Sequence, residues 1–372
     1  MKFALITHVS HIHQNNQYFA YAPYVREMNI WFKYVDEVIV VAPLKMGEAS
    51  PIDIPYQHSK IDFRKVPDFN FTSFGNSLIS FFKLPIIFWK IFLAMKNADH
   101  IHLRCPGNMG LIGSLVQILF PRKTKTAKYA GNWAPKSNQP YTYKIQKWIL
   151  SNTFLTHNMK VLVYGDWENQ TKNIKPFFTA TYSESEKEII QKTDFSNAIN
   201  FIFVGSLVSG KKPMYAVKLI HELRTKGYNA CLSLYGEGSE RNNLDDYIKI
   251  NNIEDFIVLH GNQNSEALNK AYQKSHFVIL PSKSEGWPKA IAEGMFWGCV
   301  PIATKVSCVP FMLDYGNRGV LLHPDLESDV NQIKEIIENE NIFLSKSTLS
   351  REWSQNYTTN VFEDAIKKLL TI

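Results

Sequence analysis

Short apolar segments alternate with amphipathic helical segments in two successive runs along the chain, and this alternation restricts the fold more than any other feature. The first run begins with the strand-like FALITHV at residues 3–9, and the second begins with NFIFVGSL at residues 200–207. Strands that alternate with helices in this way favour βαβ units and parallel sheets. The sequence therefore predicts an α/β protein with two parallel sheets.

The length of the chain, 372 residues, agrees with two domains, because single hydrophobic cores stop growing at about 250–300 residues. A polar, irregular stretch at residues 176–198, PFFTATYSESEKEIIQKTDFSNA, separates the two runs and is typical of a linker. We therefore predict a first domain at residues 1–180 and a second at 181–352. The apolar spacing over residues 353–372 predicts a helix.

The composition excludes disordered and fibrous proteins, since 45% of the residues are hydrophobic and 20% are charged. The four cysteines show no short paired spacing of the kind found in zinc sites or redox motifs. The most apolar segment, SLISFFKLPIIFWKIFLAMK, is interrupted by Lys83, Pro85 and Lys90, so we expect no transmembrane helix. The expected location is the cytoplasm.

Positive charge is concentrated in the first half of the chain. Residues 1–176 contain 21 Lys and Arg against 10 Asp and Glu, or +11, whereas residues 177–372 contain 20 against 24, or −4. This asymmetry fits an acidic substrate, a membrane surface or a locally biased solvated surface, and the scattered cations form no recognised nucleic-acid motif. Together with the aromatic and cationic stretch at residues 81–96, the charge asymmetry predicts peripheral binding to an anionic inner membrane face. A buried helix pair is the alternative interpretation of that stretch.

The most specific motif is PSKSEGWPKAIAEGM at residues 281–295. A buried strand precedes it, and a helix is predicted from Lys289, with Pro288 suited to the first turn. Backbone N–H groups and a helix N-terminus therefore follow a parallel strand, which is where open α/β sheets bind phosphates. Glu285 and Glu293 lie on either side of these groups, and carboxylates accept hydrogen bonds from vicinal hydroxyls. The motif predicts a ligand with sugar rings on both sides of a phosphate.

A second motif, FVGSLVSGKKP at residues 203–213, follows the first strand of the same half. It contains the turn Gly205-Ser206 and the adjacent Lys211 and Lys212. A lysine ammonium can neutralise the charge that develops on a leaving diphosphate. Adjacent lysines on a solvated surface are the alternative interpretation.

A third motif, LYGEGSER at residues 234–241, follows the next strand. Gly236 and Gly238 allow close approach of the backbone to a ligand. Glu237 lies between them, and Arg241 lies on the helix that follows. A purely structural turn is the alternative interpretation of these residues.

In this order, the motifs resemble the donor-binding domain of retaining GT-B glycosyltransferases, specifically the large family 4 group. The resemblance covers residues 200–325 and includes VLHGNQNSEALNKAYQKSHFVILPS, the seven residues between the two glutamates, and CVPIAT. The first half is similar only through its βαβ alternation and the segment YAGNWAPKSNQPYTYKIQKWIL. The resemblance implies two Rossmann-like domains that face each other across a cleft, with a C-terminal helix that crosses back to the first domain.

The resemblance also implies roles for the motif residues. Glu285 would contact the donor sugar, Glu293 the ribose hydroxyls, and Gly261 would lie near the base. Either Lys211 or Lys212 would bind the diphosphate. The implied catalytic residues are Lys211, Lys212 and Glu285, and the implied donor-binding residues are Gly205, Ser206, Gly236, Glu237, Gly238, Arg241, Gly261, Gly286, Trp287, Pro288, Lys289 and Glu293.

Two features depart from the family pattern. Ser206 stands where family members commonly carry an arginine, so one cation of the expected phosphate clamp is either missing or supplied elsewhere, by Arg241 or Arg104. The first half offers His8, His11 and His13, in HVSHIHQNN, in place of a Gly-Gly loop. We interpret these histidines as groups for hydrogen bonding to the acceptor or as part of a structural loop. A histidine metal site is the less favoured interpretation, because the resemblance implies no metal. The weaker acceptor-side candidates are His11, Arg104, Asn132 and Trp133.

The function implied is transfer of a sugar from a UDP- or GDP-sugar to a saccharide or lipid-linked saccharide, with retention of configuration. The implied process is cell-surface polysaccharide synthesis. No cofactor and no metal are implied. A nucleotide-sugar epimerase or a sugar-phosphate synthase on the same scaffold is one alternative. A non-catalytic binding or scaffold subunit, suggested by Ser206, is another.

Overall fold

The computed structural model describes residues 1–50, 52–67, 74–135, 137–190, 192, 195, 197–323 and 325–370, with backbone only at 74–82. The chain divides into two compact units, Met1–Phe177 with Phe362–Ile372, and Phe178–Val361. Each unit has its own largely parallel sheet with helices around it. The predicted α/β class with two Rossmann-like domains is therefore confirmed.

The first unit is built on a sheet of ten strands among the described residues, in the order β10-β9-β8-β7-β1-β4-β2-β3-β5, with β6 also beside β4. Its strands are β1 (Lys2–Ile6), β2 (His11–Gln14), β3 (Gln17–Tyr21), β4 (Glu37–Lys45), β5 (Asp53–Pro55), β6 (Ile61–Val66), β7 (His100–Cys105), β8 (Thr124–Tyr129), β9 (Met159–Tyr164) and β10 (Ile174–Phe177). Its helices are α1 (Ala22–Phe32), α2 (Phe74–Asn97), α3 (Asn108–Val116) and α4 (Tyr141–Ser151). The central strands are buried on both faces, as expected for parallel strands between helices.

The segment HVSHIHQNN, for which a structural loop was one of the interpretations, enters a β-hairpin at His11. Strands β2 and β3 pair antiparallel, with Gln14 opposite Gln17. Asn15 and Asn16 form the two-residue connection, and both have positive φ, at 50° and 57°. Such turns match the twist of the flanking strands, and asparagine tolerates their conformation well.

The second unit has a six-stranded sheet in the order β13-β12-β11-β14-β15-β16, and all its pairs are parallel. Its strands are β11 (Ile199–Val204), β12 (Ala230–Tyr235), β13 (Ile257–Gly261), β14 (Phe277–Leu280), β15 (Val300–Thr304) and β16 (Val320–Leu322). Its helices are α5 (Pro213–Thr225), α6 (Arg241–Ile250), α7 (Ser265–Lys274), α8 (Lys289–Phe296), α9 (Val309–Met312), α10 (Leu326–Ile337) and α11 (Glu340–Ser354). Short 3₁₀ turns occupy Gln117–Leu119, Glu184–Glu186 and Asp314–Gly316.

The last helix, α12 (Thr359–Leu370), returns to the first unit from Phe362 onward. Glu363 lies 3.1 Å from the Lys33 ammonium and accepts a hydrogen bond from the Tyr34 hydroxyl. The helix predicted over residues 353–372 is thus shorter, because residues 355–358 separate it from α11. Within the described part of the chain, no helix has the length and hydropathy needed to cross a membrane.

Candidate active site

The chain reverses direction across the second sheet beside β11. It runs from β11 outward through β12 and β13, then returns to β14 on the other side of β11. In open α/β sheets, ligands bind outside the carboxyl ends of the strands at such a reversal. The loops at residues 205–212 and 281–288 follow β11 and β14, so they flank the most favourable binding position in this unit.

Lys211 and Glu285 connect these two loops. The lysine Nζ lies 2.6 Å from Oε1 of Glu285, whose side chain is 8% exposed. The backbone N–H of Lys283 donates to the carbonyl of Gly210 at 2.8 Å, which ties the loops together a second time. A charge-assisted hydrogen bond between largely buried groups is strong and directional. The arrangement places an ammonium for phosphate and a carboxylate for hydroxyls side by side.

The two adjacent lysines have different environments. Lys211 pairs with Glu285, whereas Lys212 has a left-handed φ of 50° and directly precedes α5. Of the two, Lys211 is therefore the lysine that the fold brings to Glu285. Ser206 is exposed at the start of the same loop, and its carbonyl accepts the N–H of Val208 at 2.9 Å.

The role of Gly236 and Gly238 differs from the predicted approach to a ligand. A Cβ on Gly236 would lie 2.0 Å from the Gly205 carbonyl oxygen, and one on Gly238 would lie 2.4 Å from that of Leu207. The neighbouring loop occupies this space, and the Leu207 N–H donates to the carbonyl of Glu237 at 2.9 Å. These glycines therefore allow two loops to pack together.

Arg241 is held at the end of β13 by two carboxylates. Its Nη1 lies 2.7 Å from Oε1 of Glu237, and its Nε lies 3.4 Å from Oδ2 of Asp245. A Cβ on Gly261 would be 2.9 Å from the same Glu237 oxygen, so the ion pair borders this glycine. Glu237 and Asp245 already balance the charge of Arg241, so we do not expect Arg241 to replace the cation missing at Ser206.

Glu293 lies on α8, and two hydroxyls hold its carboxylate. Oε1 accepts from Thr181 at 2.9 Å, and Oε2 accepts from the buried Tyr272 at 3.2 Å. Burial, and then the charge of Glu293, raise the pKa of Tyr272 well above its usual value, so the phenol remains a donor. A carboxylate has about four acceptor positions, so these two bonds leave capacity for further hydroxyls. Glu293 shares a narrow pocket with Trp287 and Lys289.

Sequence reasoning missed two residues that hold the loop around Gly286. The Gly286 carbonyl accepts from the thiol of Cys308 at 3.0 Å and from the hydroxyl of Ser307 at 3.4 Å. Burial raises the pKa of Cys308 to about 12, so the thiol keeps its proton at neutral pH. The available signal was positional, since both residues follow β15, the strand beside β14. Thr181 was missed because it lies in the segment interpreted as a linker.

Two acceptor-side candidates of the first unit are core residues. His11 is fully buried, and its ring nitrogens lie 2.8 Å from the Val9 carbonyl and 2.7 Å from the Tyr56 hydroxyl. Burial lowers the pKa of His11 to about 4, so the ring is neutral. Trp133 is buried too, and its Nε1 donates to Gln170 at 3.0 Å. Neither side chain is available to a ligand, because residues distant in the sequence, Tyr56 for His11 and Gln170 for Trp133, bind them in the interior.

Arg104 is also buried, within a charged cluster. Its Nη1 lies 2.5 Å from Oε1 of Glu27, and the buried Lys128 lies 3.0 Å from the other oxygen of that carboxylate. Arg104 is therefore bound to an internal partner, and we no longer expect it to supply the cation missing at Ser206. Asn132 is half-buried, and its side-chain oxygen accepts the N–H of Ala134 at 2.9 Å, which shapes the turn after β8.

His8 is an exposed histidine at the carboxyl end of β1. Its ring lies against Gly107, since a Cβ there would be 3.0 Å from Nδ1. His13 instead packs on Tyr18, with ring centroids 4.6 Å apart. Throughout the residues whose side chains are described, no three His, Cys, Asp or Glu residues are grouped closely enough to hold a metal ion. His8 follows β1 by two residues, whereas His11 begins β2, and this position in the chain distinguishes the exposed histidine from the buried one.

Comparison with known proteins matches the second unit to a family model. Residues 185–358, nearly all of the second unit, match the family model described as glycosyl transferases group 1. The chain is 23% identical to protein CapJ of Staphylococcus aureus over 350 residues, which cover 90% of this chain and 83% of CapJ.

Two solved structures share the fold along the whole chain. The apo lipopolysaccharide outer core galactosyltransferase WaaB has a TM-score of 0.72 at 14% identity and covers 100% of this chain and 99% of its own. HepE of Anabaena, in complex with UDP and glucose, has a TM-score of 0.67 at 15% identity. The alignment covers 100% of this chain and 99% of HepE. Residues 185–358 therefore match the glycosyl transferases group 1 model, and the chain as a whole has the GT-B fold that it shares with these two structures.

Proposed function

We propose that this protein is a group 1 glycosyltransferase that takes its sugar from a UDP- or GDP-sugar and transfers it with retention of configuration, as family 4-like enzymes do. The observation that carries the proposal is the Lys211–Glu285 pair, 2.6 Å apart, at the reversal of the second sheet. Glu293 follows Glu285 after seven intervening residues and lies on the helix that begins at the same loop. The two loops and helix α8 thereby offer groups for a sugar, a diphosphate and a ribose.

The proposed donor and acceptor classes also agree with what the comparisons name. HepE is known in complex with UDP and glucose, and WaaB is a lipopolysaccharide galactosyltransferase. By extension, we propose a saccharide or lipid-linked saccharide acceptor and a role in cell-surface polysaccharide synthesis. The shared fold and the Lys211–Glu285 pair support both classes.

The proposed reaction is a front-face displacement. The bond between the sugar anomeric carbon and the diphosphate oxygen breaks, and the acceptor oxygen forms its bond to that carbon on the same face. The leaving diphosphate oxygen takes the proton of the acceptor hydroxyl. Lys211 stabilises the negative charge that appears on the diphosphate, together with the amides at the N-terminus of α8. We propose that these groups suffice without a metal ion.

Replacing Glu293 with alanine is expected to weaken UDP and GDP binding by about 10- to 100-fold. The substitution removes the carboxylate that accepts the ribose hydroxyls, and such hydrogen bonds contribute about 1–3 kcal/mol. Calorimetric titration of both nucleotides into the unaltered and variant proteins measures the effect. Glu266→Ala is the matched control, because Glu266 is a largely exposed glutamate of the same unit. Unchanged affinity in Glu293→Ala would remove Glu293 from the site.

We further propose that the first unit associates with an anionic membrane surface. Helix α2 exposes Ile86 at 54% and Trp89 at 58%, and the half of the chain that contains it has a formal charge of +11. Exposed aromatic side chains insert among lipid headgroups, and each nearby cation contributes about 1 kcal/mol.

Vesicles that contain anionic lipid are expected to co-sediment with the protein at low salt, and neutral vesicles are not. Trp89→Ser should reduce this binding several-fold, whereas Tyr141→Ser, which alters another exposed aromatic residue of the same unit, should leave it intact. High salt should release the protein, because the attraction is electrostatic. Absence of binding to either vesicle type would point to an acceptor that is free in solution.

A further inference from the structure

We infer that Cys308, assisted by Ser307, is a positioning residue that orients the peptide between Gly286 and Trp287 toward the donor diphosphate. The inference rests on the proposed function, because it concerns how the same loop binds its ligand. Cys308 and Ser307 donate to one acceptor, the Gly286 carbonyl, at 3.0 Å and 3.4 Å. Both donors come from the segment that follows β15.

The loop around Gly286 is held from two neighbouring strands. On the β11 side, Lys211 binds Glu285 at 2.6 Å. On the β15 side, Ser307 has a left-handed φ of 50°, which is uncommon for a residue with a side chain. Such a conformation persists only where surrounding contacts fix it. The two attachments act on consecutive residues of the loop.

The orientation of the Gly286 carbonyl determines where the next amide points. The 286–287 peptide bond is trans, and in a trans peptide the C=O and N–H groups point in opposite directions. The Trp287 N–H is therefore directed away from Ser307 and Cys308. The next residue, Pro288, has no N–H to offer, so the Trp287 amide matters more to an anion at this loop than it would in a loop without proline.

The thiol of Cys308 is well suited to this task. Its residue is fully buried, and its sulfur also lies 3.8 Å from the sulfur of Met312. The Gly286 carbonyl is the oxygen acceptor of this thiol, at 3.0 Å, so loss of the thiol leaves that carbonyl without its shorter hydrogen bond. The peptide plane can then rotate and turn the Trp287 N–H away from the diphosphate.

The test compares Cys308→Ala and Cys308→Ser with the unaltered protein by calorimetric titration of UDP, GDP, UMP and GMP. Cys308→Ala should weaken binding of the diphosphate that the unaltered protein prefers by about tenfold, as for loss of one hydrogen bond to a charged group. The corresponding monophosphate should change less than about twofold, because it lacks the phosphate that the amide is proposed to contact. Cys308→Ser keeps a donor and should restore diphosphate binding.

Cys299→Ala is the matched control, because Cys299 is also fully buried and its thiol donates to the Ser275 carbonyl at 3.2 Å. It should bind all four nucleotides as the unaltered protein does, and the melting temperatures of all variants show whether they are folded. Equal affinities of Cys308→Ala and the unaltered protein for the diphosphate would overturn the positioning role. An equal loss for monophosphate and diphosphate, or no rescue by serine, would overturn it as well. Failure of the unaltered protein to bind either diphosphate would overturn the proposed function, and the positioning role with it.

Discussion

Replacing Lys211 with alanine is expected to lower turnover by about 100- to 1000-fold, the usual cost of one preorganised electrostatic contact. In the ground state the diphosphate shares its charge with the bonded sugar, and an additional negative charge appears as that bond breaks. A cation beside the leaving oxygen therefore stabilises the transition state more than the bound donor, and only such differential stabilisation raises the rate constant. Lys211 is 2.6 Å from Glu285 at the reversal of the second sheet, where we propose that the diphosphate binds.

Steady-state kinetics distinguish the possible roles of Lys211. A fall in kcat with little change in KM is the expected pattern, and adding Lys212→Ala should bring the loss to the upper end of the range, since Ser206 supplies no cation. Lys218→Ala, which alters an exposed lysine on α5, should behave as the unaltered protein. A raised KM with unchanged kcat would mean that Lys211 only holds the donor. Unchanged kcat and KM would mean that Lys211 is a surface charge without a role in the reaction.

The first unit is expected to lose several kcal/mol of stability as the pH falls from about 6.5 to about 4. Burial lowers the pKa of His11 and of His100 to about 4, and burial lowers that of His102 well below its usual value. The unfolded chain takes up protons on these rings near pH 6.5, whereas the folded chain does not, so acid favours unfolding. At 1.36 kcal/mol per pKa unit, each of the first two contributes roughly 3 kcal/mol.

A further loss should follow at lower pH. Glu27 is buried, but the adjacent Arg104 and Lys128 outweigh the effect of burial and hold its pKa at about 2. Its stabilisation is complete above about pH 4.5 and disappears as the pH falls toward 2.

Urea denaturation at a series of pH values measures the free energy of unfolding directly. His11→Gln removes one titrating group and should flatten the slope between pH 6.5 and 4, whereas His157→Gln, at an exposed position, should not. A free energy of unfolding that stays constant across this interval would contradict the assignment of neutral buried histidines.

The sequence predicted the second unit well because its signals are local. Glu285, Pro288 and Glu293 lie on one continuous strand, loop and helix, so their spacing alone predicts where that helix begins. The two adjacent lysines could not be separated, because their difference arises from the backbone conformation of Lys212 and from a carboxylate 74 residues away from Lys211.

The errors share a non-local cause. Gly236 was assigned to ligand approach, but the atom that would meet its Cβ belongs to Gly205, on the neighbouring loop. Arg104 and Trp133 were assigned to an acceptor, but Glu27, 77 residues away from Arg104, and Gln170 bind them internally. The hairpin that buries His11 could have been predicted from the sequence, because such a turn requires positive φ at both central residues and asparagine tolerates that conformation.

The central claim is that the loops after β11 and β14 bind a nucleoside diphosphate through protein groups alone. Titration of UDP and GDP into the unaltered protein, in buffer with excess EDTA, tests it most directly. We predict saturable binding of one of the two nucleotides, with a stabilisation of about 2.7 kcal/mol in thermal unfolding at a ligand concentration 100 times Kd. Absence of binding and of any thermal shift with both nucleotides would contradict the account, and binding that appears only when a divalent ion replaces EDTA would contradict its metal-free form.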